Sequence, residues 1–93
     1  VDRRAEVEAI LEVIDDDEAI FFDGFDDAII GIGAQQHKGP YVIYDREKCI
    51  QILMDRDGMP HEDAEEFFSF NTEGCWAGDR TPIIVSRVED MRM

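Results

Sequence analysis

The chain has 93 residues, 44% of them hydrophobic, and a formal net charge of −14, which is enough to build one domain around a core and too little for two. No apolar run reaches the roughly 20 residues of a membrane span, and no basic stretch ahead of an apolar one marks a secretion signal. Direct nucleic-acid binding is disfavoured, because phosphate contacts need clustered lysine or arginine.

The charge is uneven. Residues 1–27 hold eleven acids against Arg3 and Arg4, for −9, and residues 28–93 the remaining −5. Asp outnumbers Glu, and Lys38 and Lys48 are the only lysines. Halophilic proteins carry this signature. An acidic face that docks a basic partner or imitates nucleic acid would carry it too. The chain opens on Val1, so the natural start is expected upstream.

In chain order, "RRAEVEAILEVI" sets Val7, Ile10, Leu11 and Ile14 at helical spacing with acids between them, and predicts an amphipathic helix. The "DDDE" run at 15–18 ends it, since acids oppose the dipole at a helix C-terminus. "AIFF" at 19–22 reads as a short strand or a packed loop. In "AIIGIGA", Ala28, Ile30, Ile32 and Ala34 share one face under period two. Two glycines there cost a helix about 1–2 kcal/mol, so a strand over 28–34 is expected. "QQHKGP" reads as a turn and "YVIY" at 41–44 as the partner strand of a hairpin.

Asp45 is placed to cap a helix over "REKCIQILMDR", which Gly58 closes. Pro60 opens another, with Glu62 and Asp63 favourably near its N-terminus. Ala64, Phe67, Phe68 and Phe70 suggest a wide apolar face, and Gly74 an end. "GDRTP" turns into a last strand, 83–86, and residues 87–93 are expected to fray. The expectation is a single α+β domain over 1–93, in the order α–β–β–α–α–β. Three or four mainly antiparallel strands pack on the helices.

Several site patterns fail on residue type or spacing. "GIGAQQ" lacks the third small residue of a dinucleotide loop. "DRDGMPHEDAEE" has Pro60 where a calcium loop needs glycine. The helix pair after Asp45 exposes acids where a DNA reader needs bases. His37, Cys49, His61 and Cys75 lack the close pairing of structural zinc ligands. "GCW" offers Cys75 as a nucleophile with His37 or His61, on weak local similarity. Cys49, among isoleucines, reads as a small buried hydrophobe. A reducing cytoplasm, with no Cys49–Cys75 disulfide, is the expectation. Asp23, Asp26, Asp27 and Asp45 could serve a magnesium-dependent hydrolase, although solvated acids and a helix cap explain them as well.

Asn71 falls among the phenylalanines, where a buried amide must find partners. Trp76 reads as a lid on the core or as a binding anchor. The residues expected to bind are therefore Asp15, Asp16, Asp17, Asn71 and Trp76, with no catalytic residue, metal or cofactor.

The linked segments "FDDAIIGIG", "GPYVIYDREKCIQILMDRDGM", "EDAEEFFSFN" and "WAGDRTPIIV" resemble a family of small uncharacterised proteins encoded by tailed phages and archaeal viruses. The likeness spans residues 22–85, with Pro60 standing where Ser or Thr is expected. It implies a viral accessory protein acting in an infected cell. The family has no assigned activity, so no functional residue carries over. The expected function is non-catalytic binding of a host or viral protein through an acidic surface, with the hydrolase and the nucleic-acid mimic as alternatives.

Overall fold

A computed structural model describes residues 2–74 and 76–91. The expectations placed on Cys75 (disulfide, zinc ligand, nucleophile) and on the terminal residues Val1, Arg92 and Met93 lie outside the described residues. Helix α1 (Arg3–Val13) starts on Asp2, whose carboxylate accepts from the Ala5 N–H at 3.2 Å. Val7 and Leu11 are buried, but Ile10 and Ile14 are not. The core reaches only one narrow line of this helix, so the apolar stripe expected to face inward continues into solvent.

Asp15 then takes a left-handed conformation, φ 59°. The Asp16 carboxylate accepts from the N–H groups of Glu18 and Ala19, both at 3.1 Å, and this local turn competes with any extended pairing. "AIFF" is accordingly a packed loop, not a fourth strand. Arg4 stacks on Phe21 at 4.6 Å, and the Phe22 N–H donates to the Tyr44 hydroxyl at 2.8 Å. Phe25 is buried edge-on against Phe68, their ring centres 5.7 Å apart, just ahead of a 3₁₀ turn at Asp26–Ala28.

Strands β1 (Ile29–Gln35) and β2 (Lys38–Asp45) form the expected hairpin, antiparallel, with Ile32 opposite Val42 and Gly33 opposite Tyr41. The turn is tighter than the sequence suggests. Gln35 already pairs with Lys38, so Lys38, Gly39 and Pro40 belong to the strand. Ile29, Val42 and Tyr44 are buried on the helix side, while Gly33 and Tyr41 pair on the other face. A Cβ on Gly33 would come within 3.0 Å of the Ile43 side chain, so that glycine serves close packing.

Strand β3 (Ile83–Val85) pairs with β2 in parallel, which makes the sheet mixed rather than purely antiparallel. The loop through 76–82 explains the reversal. It returns the chain to the start of β2, where Arg80 donates to the Pro40 carbonyl, and β3 therefore enters from the same end as its neighbour.

Helix α2 (Arg46–Asp57) begins where Asp45 accepts from the Glu47 N–H at 3.1 Å, and it ends at left-handed Gly58, φ 68°. It buries Cys49, Ile50 and Leu53, and burial beside Asp45 pushes the Cys49 thiol up to about 12. That thiol stays protonated and inert. Helix α3 (His61–Phe68) runs into a wider π turn, Ser69–Glu73, closed by the Gly74 N–H on the Ser69 carbonyl. Its buried line is Ala64, Phe68 and Thr72. The wide phenylalanine face was an over-reading, because Phe67 and Phe70 lie off this four-residue spacing and are exposed. Arg46 ties the helix pair together through Glu65, Glu73 and Ser69.

The C-terminal segment does not simply fray. Arg87 pairs with buried Asp45 at 3.1 Å, and Val88–Met91 forms a 3₁₀ turn. Among the described residues no helix is long and apolar enough to cross a membrane.

Candidate functional site

Two hollows lie on either side of one ion pair. The first is an open groove of about 480 Å³ beside the C-terminal half of α1, lined by Leu11, Ala19 and Phe21 with Glu8, Glu12 and the three aspartates 15–17. Ile10 and Val13 of α1, and Ile14 just past its end, are not part of this lining and stand exposed by 51%, 84% and 53%. They have the solvent exposure of charged residues and none of the charge.

The second hollow, about 600 Å³, lies between the β1–β2 turn and the 76–80 loop. Trp76, Tyr41, Glu18, Asp79, Lys38 and Arg80 are among its lining. The loop is built locally. The Ala77 N–H donates to the Thr81 hydroxyl at 2.9 Å, and that hydroxyl donates to the Gly78 carbonyl at 2.6 Å. Gly78 supplies φ 119°, a conformation open to glycine.

Arg80 separates and joins the two hollows. Its Nη2 donates to Asp16 Oδ2 at 2.6 Å and to the Pro40 carbonyl at 2.8 Å, while Nη1 lies 3.5 Å from Glu18. The charge-assisted bond to Arg80 holds the Asp16 carboxyl below the usual carboxylate range, with the Glu18 and Ala19 N–H groups adding to the effect. Asp16 therefore maintains the fold around the hollows. It is not a free binding group, and Asp15 and Asp17 are the exposed members of the run.

The other expected site residues part company. Trp76 is 73% exposed and does not lid the core. Asn71 is exposed as well. Its Nδ2 donates to the Phe67 carbonyl one turn back at 3.0 Å, and it lines a separate shallow hollow with Phe67 and Phe70. It pins its own helix and not a neighbouring loop.

The aspartates offered for metal chemistry do not converge. Asp45 is occupied by its cap and Arg87, and Asp23 bonds to Arg4 at 3.2 Å. Asp26 and Asp27 line a hollow of about 620 Å³ with Asp2 and Asp55. Among the described residues no three of His, Cys, Asp and Glu are placed to hold a metal ion.

The sequence reading missed Arg80, Tyr41, Val13 and the outward role of Ile10 and Ile14. Arg80 had one available signal, being the sole base between Arg56 and Arg87, in a chain whose charge makes each base a scarce partner. Searches of protein-family models, curated proteins and solved structures find no match to this chain.

Proposed function

We propose that this domain is a non-catalytic binding module that docks a basic protein partner along the acidic flank of α1. One observation carries the reading: Ile10, Val13 and Ile14 are exposed in a segment, residues 1–27, that carries a charge of −9. Interfaces draw affinity from a few desolvated apolar anchors, and the charged rim steers the encounter. The flank supplies both. The phenylalanines of "AIFFDGF" add less, because Phe25 is buried, Phe22 packs against the core, and Phe21, on the wall of the groove, is half-buried beneath Arg4.

The same aliphatics argue against nucleic-acid mimicry. A protein built to grip phosphates presents lysines and arginines, and Val13 would leave them facing an apolar patch. In keeping with the resemblance of residues 22–85 to small viral proteins, the partner is a host or viral protein met in the cytoplasm of an infected cell.

The test compares baits. Wild-type protein and an I10S/V13S/I14S variant are used to capture partners from infected-host lysate, and association rates of any shared partner are followed across KCl concentrations. A partner retained by the wild type, lost by the variant, and associating more slowly as salt rises is the expected result. Identical retention by both baits would remove the α1 flank from consideration.

A further inference from the structure

The chain has one tryptophan, and it stands in solvent over the cleft beside the hairpin turn. Elsewhere, among the described residues, arginines pair with aromatic rings three times. Arg4 lies 4.6 Å from the centre of Phe21, Arg56 5.6 Å from Phe25, and Arg46 5.8 Å from Phe68. Trp76, whose ring attracts a cation more strongly than phenylalanine does, has no such cation among the described residues.

The charges around the cleft favour filling it with one. Arg80 is already committed to Asp16 and Pro40. Asp79 has no ion-pair partner among the described residues, and Glu18 keeps 76% of its side chain exposed while approaching Arg80. Lys38 opposes them from the start of β2, with His37 of the turn beside it. The domain around the cleft carries −14, so a cation enters down the potential and an anion against it.

We propose that this cleft takes an arginine side chain from the basic partner, its guanidinium stacked on Trp76 and hydrogen-bonded to Asp79 and Glu18. Arginine fits better than lysine because its planar, weakly hydrated guanidinium stacks on a ring and presents several donors in one plane. Tyr41 offers the guanidinium stem an apolar wall on the sheet side. The groove beside α1 begins at Asp16 and the cleft at Arg80, so one basic segment can cross this pair and occupy both. The inference rests on the docking function proposed above.

Trp76 is its own reporter. An arginine-rich peptide, a matched lysine-rich peptide and inorganic phosphate are titrated while tryptophan fluorescence is followed, and affinities are measured by calorimetry. The arginine peptide is expected to perturb Trp76 and to bind more tightly than the lysine peptide. W76A should weaken it by about fivefold to tenfold, the scale of one partly desolvated cation–π contact. K38E should tighten it by about threefold, as a nearby surface charge reverses sign. Two outcomes overturn the proposal. In the first, the arginine peptide binds with Trp76 silent and W76A without effect, while I10S/V13S/I14S abolishes binding; the flank reading then stands alone. In the second, phosphate perturbs Trp76 and K38E abolishes the response, and the cleft takes an anion. If the peptide perturbs Trp76 and I10S/V13S/I14S binds it as well as the wild type, the cleft stands and the flank reading fails.

Discussion

Asp45 and the acids that follow α1 carry the same charge into opposite surroundings. Asp45 is buried at the β2–α2 junction, where one oxygen accepts from a helix N–H and the other meets Arg87. Asp15 and Asp17 stand in solvent without an ion-pair partner among the described residues. Asp16, between them, follows the first pattern and not the second, because Arg80 and two backbone N–H groups reach it. Sign and sequence neighbourhood thus say little about an acid's duty. For these acids what decides it is whether donors converge, and the exposed ones left without donors, Asp15 and Asp17, are free to meet a partner.

The largest effect is expected at Asp45. Asp45→Ala removes the cap and leaves the first turn of α2 with an unmet N–H in a buried place. The expected loss is about 2–3 kcal/mol, read as a lower urea midpoint at unchanged slope. A loss under about 0.5 kcal/mol would mean that Asp45 is no more structural than the surface acids.

Asp16 gives a smaller effect with a pH signature. Asp16→Asn keeps an oxygen for the Glu18 and Ala19 N–H groups but loses the charge that Arg80 holds, at a cost of about 1 kcal/mol near neutral pH. The carboxyl is held below its ordinary value in the folded state. Its contribution is therefore complete above the unfolded value of about 3.9 and is lost as pH falls through the lower folded one. The gap between wild type and Asp16→Asn should be constant from neutral pH down to about 5 and close below about 4. A gap independent of pH would show that the ion pair with Arg80 contributes nothing.

The same contrast explains what could be read from the sequence. α2 was legible at both ends, because Asp45 and Gly58 are local signals whose chemistry acts within a few residues. The β1–β2 hairpin was legible as two apolar runs about a turn. Its faces were not, because the register shifts between Ile29 and Gly31 and between Gly33 and Gln35. The π turn was not legible either. Its onset at Ser69 depends on how the helix meets Arg46 and the core, and a fixed 3.6-residue period misplaces Phe70 and Asn71 beyond that point. The parallel entry of β3 pairs Ile43 with Ile83, the Arg80–Asp16 pair joins residues 64 positions apart, and nothing local encodes them. For the candidate site, Asp15–Asp17 and Trp76 could be named as residues of interest. That a base from a late loop would claim Asp16 and set two hollows side by side could not.

At Asp15 and Asp17 a gain in stability is expected. If Asp15 and Asp17 hold nothing in place, neutralising them should relieve repulsion rather than cost stability. Asn suits both positions, including the left-handed backbone of Asp15, where it is among the better tolerated residues. Wild-type melting temperature should rise with KCl as the screening length falls from about 10 Å at 0.1 M to about 3 Å at 1 M. The D15N/D17N variant should melt about 1–2 °C higher than wild type at the lower salt, with the difference gone at the higher, because screening then does the work of the substitution. Scanning calorimetry at the two salt concentrations measures both. A variant that melts lower than wild type at either salt would make these acids part of the fold, and the α1 flank would lose the free charge its partner is proposed to meet.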